Sequence, residues 1–310
     1  MRKVAAKHAS PVQALLVDGA FDGEVLVAEP MGKHTTYRIG GPASFYVRVD
    51  SLGCLSQLVR ACVRQGMPYF VAGRGSNLLV SDAGFEGVVV TLGRDFRNHE
   101  VREESLAIVA GAGVLLSAVV QEALRNSLAG MEFATGTPGT LGGALRMNAG
   151  SADDWIGSRV RSVTSLAPDG SLLKRMGSEV SWGYRATSFP VGEAILECEL
   201  VLKEGDPFFI QGKMEGSLAR RKKTQPLGQP SCGSVFRNPE GHSAAKLIDE
   251  AGLKGASVGG AQISTKHANF IVNTGKATAA DVVALIELAR ERVERDHGIE
   301  LTPEVKFLGF

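Results

Sequence analysis

The sequence is short of the features that mark most functional classes. Its four cysteines, Cys54, Cys62, Cys198 and Cys232, form no C-x-x-C pair and no dense spacing. A disulfide scaffold and a thiolate metal centre are therefore not expected, and no metal site is assigned. No run of eighteen apolar residues occurs, so no membrane-spanning helix is expected. The opening residues, Met1-Arg2-Lys3-Val4-Ala5-Ala6-Lys7-His8, lack the apolar core of a secretory leader, and we expect a cytoplasmic protein. Neither sign of charge dominates: 34 Lys and Arg against 33 Asp and Glu leave a formal charge of +1. The basic run Arg220-Arg221-Lys222-Lys223 is too short to form a nucleic-acid surface. Internal repeats and low-complexity tracts are absent as well.

Two nucleotide-binding fingerprints are also missing. Gly73-Arg74-Gly75 and Gly111-Ala112-Gly113 both start as G-x-G, yet neither continues to the third glycine of a dinucleotide fold. No GxxxxGK[ST] segment occurs, which removes a P-loop. A lone G-x-G serves a tight turn as readily as a ligand cradle.

What the chain does have is glycine, 38 residues of it, in clusters. Thr135-Gly136-Thr137-Pro138-Gly139-Thr140-Leu141-Gly142-Gly143-Ala144 offers almost no side-chain area to a core, and Met147-Asn148-Ala149-Gly150 follows it. Such a segment is stabilised by backbone contacts or by a ligand, and consecutive backbone N–H groups suit a pyrophosphate.

Hydrophobic residues make up 44% of the chain, enough to bury a large core. Leu55, Leu58, Val59, Cys62 and Val63 have helical spacing, as do Leu116, Val119, Val120, Ala123 and Leu124. Short strands are expected at 69–72, 88–92, 106–110, 162–166 and 194–202. Strands, glycine turns and helices alternate without the rhythm of a doubly wound sheet. We expect a domain boundary near Gly205-Asp206-Pro207, with subdomains of about 15–93 and 94–205 before it. The second domain, 206–310, ends in the clearest helix, with Thr278 and Asp281 at its start, an apolar face of Val282, Leu285, Ile286, Ala289 and Val293, and Gly298 as its stop.

Eight segments in order resemble the UDP-N-acetylenolpyruvoylglucosamine reductase (UDP-N-acetylmuramate dehydrogenase) family. They are Tyr37-Arg38-Ile39-Gly40-Gly41-Pro42-Ala43, Gly73-Arg74-Gly75-Ser76-Asn77-Leu78-Leu79-Val80, the long glycine loop, and Gly183-Tyr184-Arg185. Ser231-Cys232-Gly233-Ser234-Val235-Phe236-Arg237-Asn238-Pro239 and Lys246–Gly255 follow, then His267-Ala268-Asn269-Phe270-Ile271-Val272-Asn273 and Pro303-Glu304-Val305. The resemblance implies an α+β fold. It comprises a two-subdomain FAD-binding domain, of the type found in vanillyl-alcohol oxidase, and a C-terminal α+β substrate domain. The last few residues are candidates to return to the FAD domain. The short interval after Gly183-Tyr184-Arg185 is similar to the subclass without an inserted tyrosine loop. Two departures stand out: Ser151-Ala152-Asp153-Asp154-Trp155 replaces the usual Ala-Tyr-Gly after Gly150, and Thr302 replaces a frequent first glutamate before Glu304.

The resemblance implies non-covalent FAD, hydride from NADPH, and UDP-N-acetylglucosamine enolpyruvate as substrate. It assigns Gly73, Arg74, Gly75, Ser76, Asn77, Leu78, Thr135, Gly136, Pro138, Gly139, Gly142, Gly143, Asn148 and Ala149 to the cofactor. Hydride addition to an alkene conjugated with a carboxylate develops charge on that carboxylate, which requires a fixed cation. The resemblance gives this part to Arg185, the proton on carbon to Ser234, and a supporting acid to Glu304. Tyr184, Lys222 and Asn238 are expected at the substrate. The protein is expected to be a monomer or weak homo-oligomer. Two other readings remain open. One is an oxidase on the same fold with histidine-linked FAD, for which His34 and His99 lie nearest the flavin-type loops. The other is a non-catalytic flavin- or UDP-sugar-binding protein.

Overall fold

A computed structural model describes residues 15–16, 21–151 and 153–310; residues 1–14, 17–20 and 152 lie outside them. The first unit holds two sheets. Strands β1 (Gly23–Pro30), β2 (Pro42–Val49), β3 (Tyr69–Ala72) and β5 (Phe85–Leu92) form one, in the order β1-β2-β5-β3, while β4 (Leu78–Val80) lies apart. β5 runs parallel to both β2 and β3. That arrangement requires a crossover, supplied by helix α1 (Leu52–Gln65). The α1 start is capped by Ser51, whose hydroxyl accepts from the Cys54 N–H, and Gly66 ends it at φ 62°. Its buried face carries Leu55, Leu58, Val59 and Cys62, as their spacing predicts.

The second sheet is antiparallel throughout. It draws on β6 (His99–Arg102), β7 (Ala107–Gly111), β9 (Val160–Leu166), β10 (Leu172–Met176) and β13 (Ala194–Val201), ordered β10-β9-β13-β7-β6. Short pairs complete the unit: β8 (Leu128–Ala129) with β14 (Lys203–Glu204), and β11 (Trp182–Gly183) with β12 (Ala186–Thr187). Helices α2 (Leu116–Arg125) and α3 (Leu141–Arg146) cover this sheet. Both sheets share one core, in which Val47, Leu55 and Val90 meet Ile108, Leu116 and Leu200.

Helix α4 (Pro207–Thr224) begins where Asp206 caps the Phe208 N–H and proline occupies the first turn. The boundary expected at Gly205-Asp206-Pro207 therefore starts an element, but it does not separate the cores. Ile210 and Met214 of α4 pack into the first core. The second core gathers α5 (Ala244–Glu250), the small sheet β15 (Ser257–Val258), β16 (Ala261–Ile263) and β17 (Ile271–Asn273), and helix α6 (Ala279–His297). Tyr37, Ile39 and Leu79, distant in sequence, complete it. The chain then returns to the first unit: β18 (Lys306–Leu308) pairs in parallel with β4.

Candidate active site

A cleft of about 1980 Å³ runs between the glycine loops, the Tyr184–Arg185 turn and the second core. The loop 73–77 leaves β3 under tight constraint. Gly75 has φ 62°, and a Cβ there would collide with the His34 carbonyl oxygen. A Cβ on Gly73 would come within 2.5 Å of the Thr140 hydroxyl, so the two glycine loops touch. Ser76 Oγ joins them by donating to the Pro138 carbonyl at 3.3 Å. Arg74, Gly75, Ser76, Asn77, Gly139 and Thr140 all line the cleft. Their backbone N–H groups donate to no protein acceptor among the described residues. Unpaired N–H groups gathered along one wall make a concavity suited to an anion.

Leu78, Gly136, Pro138, Gly142, Gly143 and Ala149 also line this wall. Gly142 is nonetheless a packing glycine: its N–H donates to the Ala112 carbonyl at 2.9 Å, and a Cβ would lie 2.8 Å from Ala112 Cβ. At Gly143 the nearest atom to a Cβ is Thr140 Oγ1 at 3.6 Å, so that position is open. Thr135 does not line the cleft, and its hydroxyl is buried without a partner among the described residues. Asn148 is likewise displaced from the expected cofactor wall. It is buried at φ 42°, its amide donating to the Gly183 carbonyl at 2.9 Å and accepting from the Gly157 N–H at 3.1 Å. With both ends of its amide engaged, it is a strut that holds the Gly183 turn.

Arg185 sits on that turn, the two-residue loop between β11 and β12, at φ 55°. A left-handed arginine costs about 1–2 kcal/mol and persists when its surroundings hold it. Its Nε donates to Glu304 Oε1 at 2.8 Å and its Nη1 to the Gly150 carbonyl at 2.8 Å. Nη2 has no acceptor among the described residues. Glu304 is fixed from both sides. Its N–H donates to the Val235 carbonyl at 2.7 Å, and its carbonyl accepts from Asn77 Nδ2 at 3.1 Å. Burial raises the Glu304 pKa above 4.5, against the lowering pull of Arg185, Arg237 and Lys306.

Ser234 lies one residue before the strand-like contact with Glu304 and lines the cleft. Its hydroxyl makes no hydrogen bond among the described residues. The segment is clamped by the buried Asn269, whose carbonyl accepts from Val235 N–H at 2.8 Å and whose side chain bridges the Phe236 backbone. Cys232, two residues earlier, is pushed up to about 12 by burial, so this nearby thiol stays protonated.

The expected substrate residues fare differently. Tyr184 and Asn238 meet each other, with the Asn238 N–H 3.4 Å from the tyrosine oxygen, but neither lines the cleft. Asn238 Oδ1 instead accepts from the Ala244 N–H at the start of α5. Lys222 is exposed outside the cleft, while its neighbour Arg221 lines it. Arg237 and Lys306, unassigned from sequence, line it too. Arg237 Nη2 lies 3.4 Å from the Arg185 carbonyl, and its presence in the Ser231–Pro239 motif was the available signal. Of the two histidines, His34 stacks on Tyr46 with centroids 3.7 Å apart and bonds to Glu29. His99 faces Glu122 at 3.6 Å.

Comparison with known proteins gives the same picture. The C-terminal domain model of UDP-N-acetylenolpyruvoylglucosamine reductase matches residues 225–308, and an FAD binding domain model matches residues 43–175. A UDP-N-acetylenolpyruvoylglucosamine reductase of Heliobacterium modesticaldum is 45% identical over 93% of this chain and 92% of its own length. The protein of that name from Methylococcus capsulatus is 43% identical over 100% of this chain and 98% of its own. The crystal structure of UDP-N-acetylenolpyruvylglucosamine reductase from Thermus caldophilus superimposes with a TM-score of 0.79 at 35% identity, covering 92% of this chain and 98% of that one. Similarity at this level along nearly the whole chain decides between the readings left open by sequence: the chain belongs to the UDP-N-acetylenolpyruvoylglucosamine reductase family.

Proposed function

We propose that the chain reduces UDP-N-acetylglucosamine enolpyruvate to UDP-N-acetylmuramate, with NADPH as reductant and Ser234 as proton donor. Family membership makes it an FAD-binding oxidoreductase of peptidoglycan precursor synthesis. The observation that carries the finer reading is one cleft in which unpaired loop N–H groups, the Arg185–Glu304 pair and the Ser234 hydroxyl face the same space. The residues present fit FAD, because the touching glycine loops leave donors where a pyrophosphate needs them. Bound there without a covalent link, FAD supplies the hydride.

The protein's own groups handle the charge and the proton. Arg185, held by Glu304 and Gly150, keeps Nη2 for the substrate carboxylate, where charge develops. Ser234 delivers a proton to the substrate carbon beside the ether oxygen. A serine hydroxyl is a weak acid in water, but an enolate carbon is basic enough to take its proton. Glu304, its carboxyl raised above the ordinary range by burial, lies beside the developing acid-enolate and sets the direction of the Arg185 fork.

The two half-reactions separate these roles. Ser234→Ala is expected to bleach with NADPH at near wild-type speed in stopped-flow absorbance. Its reoxidation by the enolpyruvyl sugar should slow by about 10²–10⁴-fold, the usual reach of general-acid catalysis. Ser234→Cys should fall between the two, since a thiol also donates a proton. Normal reoxidation of the alanine variant would show that the proton comes from elsewhere.

A further inference from the structure

We propose that Asn148 is a positioning residue for Arg185, acting on the substrate half-reaction rather than on the flavin. The inference rests on the reading above in which Arg185 meets the substrate carboxylate. It begins with a turn that its own strands do not explain. β11 and β12 are two residues each, joined by Tyr184 and Arg185. A two-residue hairpin loop normally has positive φ at its first central residue, alone or together with the second. Here only the second, Arg185, has it, at 55°. So short a ladder around so unusual a turn cannot aim a long side chain, and contacts from outside must hold it.

Asn148 supplies the contact on the leading side of the turn. Its Nδ2 donates to the Gly183 carbonyl at 2.9 Å, and its Oδ1 accepts from the Gly157 N–H at 3.1 Å. These partners fix the orientation of the amide, because the N–H needs the oxygen and the carbonyl needs the nitrogen. The far end of the strut is anchored. Gly157 is buried so closely against Trp182 that a Cβ there would collide with the indole ring. The Trp182 Nε1 donates in turn to the Gly177 carbonyl at 2.8 Å. Asn148 also prepares the second hold on Arg185. It turns the chain after α3 at φ 42°, a conformation asparagine tolerates. Two residues later the Gly150 carbonyl accepts from Arg185 Nη1 at 2.8 Å. One residue thus bears on the backbone that carries Arg185 and on the carbonyl that receives its fork. Asn148 itself is 5% exposed and does not line the cleft, so it acts through Arg185.

The test uses holoenzyme and two variants. Asn148→Gly adopts φ 42° without strain and removes both amide bonds. Asn148→Asp keeps the acceptor for the Gly157 N–H and removes only the donor to Gly183. Flavin content, thermal melting, NADPH bleaching and reoxidation across a range of enolpyruvyl-sugar concentrations are measured for each. A misdirected Arg185 should slow limiting reoxidation by about tenfold to a hundredfold in both variants, the cost of an ångström-scale misplacement. The half-saturating sugar concentration should change less, because charge on the carboxylate grows toward the transition state. Bleaching and flavin content should stay near wild type. Limiting reoxidation at wild-type speed in a folded Asn148→Asp overturns the proposal, and so does an effect on the half-saturating concentration alone. A parallel loss of flavin, bleaching and reoxidation also overturns it, since that marks a packing residue or a cofactor contact. If the glycine variant does not fold, the aspartate variant carries the test; failure of both to fold overturns the proposal in favour of a purely structural role. Wild-type protein that binds flavin but is not reoxidised by the enolpyruvyl sugar would sink the underlying reading instead, before any variant is compared.

Discussion

At Glu304 two effects oppose each other: burial favours the neutral acid, while Arg185 at 2.8 Å favours the carboxylate. Burial wins, so the folded protein holds this proton more tightly than the unfolded chain does. By linkage, the stabilisation from Glu304 is fully present below about 4.5 and is lost as pH rises through the raised value. Glu304→Gln carries no such proton. The wild type should therefore lose melting temperature relative to Glu304→Gln as pH rises across that window, and parallel curves would refute a raised Glu304. The same titration should lower wild-type reoxidation by the enolpyruvyl sugar as pH rises, leaving NADPH bleaching unaffected. Residue identity at this position was legible in the Pro303-Glu304-Val305 motif. The raised pKa was expected only on condition of burial, and the contacts that fix this segment, with Val235 and Asn77, are remote in sequence.

At the scale of elements, helix α3 distinguishes two adjacent glycines that read alike in sequence. Gly142 packs on Ala112, whereas Gly143 opens to the cleft. Gly142→Ala must push against Ala112 Cβ, so melting temperature and flavin content should fall together, by about 1–3 kcal/mol in stability for an overpacked site. Gly143→Ala removes a flexible helix residue at no steric cost, which typically stabilises by about 0.4–1 kcal/mol. Its methyl enters the ligand space, so flavin content should drop while the melt holds or rises. Equal losses in the two variants would show that the loop is ordinary packing. Periodicity revealed α1, α2 and α6 because each has one apolar face, and α1 and α6 also have clear caps. Helix α4 hid its inward side because Phe208 and Phe209 at its start are 80% and 69% exposed. Apolar residues on the solvent side blur the stripe; Lys222 was assigned to the substrate by the resemblance instead, and it is Arg221 that lines the cleft. Asn148 was assigned by the resemblance; a polar residue beside a glycine loop reads the same whether it faces a ligand or braces a turn, and here its side chain braces the Gly183 turn.

The whole molecule places Glu304 and the wall of unpaired loop N–H groups on one continuous support. Glu304 lies two residues before β18, and β18 pairs with β4, which follows the 73–77 loop directly. Asn77 ties both ends, donating to the Glu304 carbonyl and accepting from the Lys306 N–H at 3.0 Å. Leu308, itself outside the cleft, anchors this strand among Met31, Leu78, Val80 and Val89. A second tie between the two cores lies elsewhere: the Asp82 carboxylate accepts from the Ala279 and Ala280 N–H groups, capping α6 beside the Thr278–Asp281 box. Both ties add stability, but only the first runs through a residue of the proposed chemistry. Leu308→Ala should cost about 2–5 kcal/mol in urea unfolding, the range for a buried leucine. Because it loosens β18, it should also slow reoxidation by the enolpyruvyl sugar severalfold while NADPH bleaching stays near wild type. Asp82→Ala should cost about 1–2 kcal/mol, as for a lost helix cap, and leave both half-reactions unchanged. If Leu308→Ala reoxidises at wild-type speed once folded, Glu304 is held by its contacts with Val235, Asn77 and Arg185 without help from Leu308, and the end of the returning strand serves stability without setting the acid.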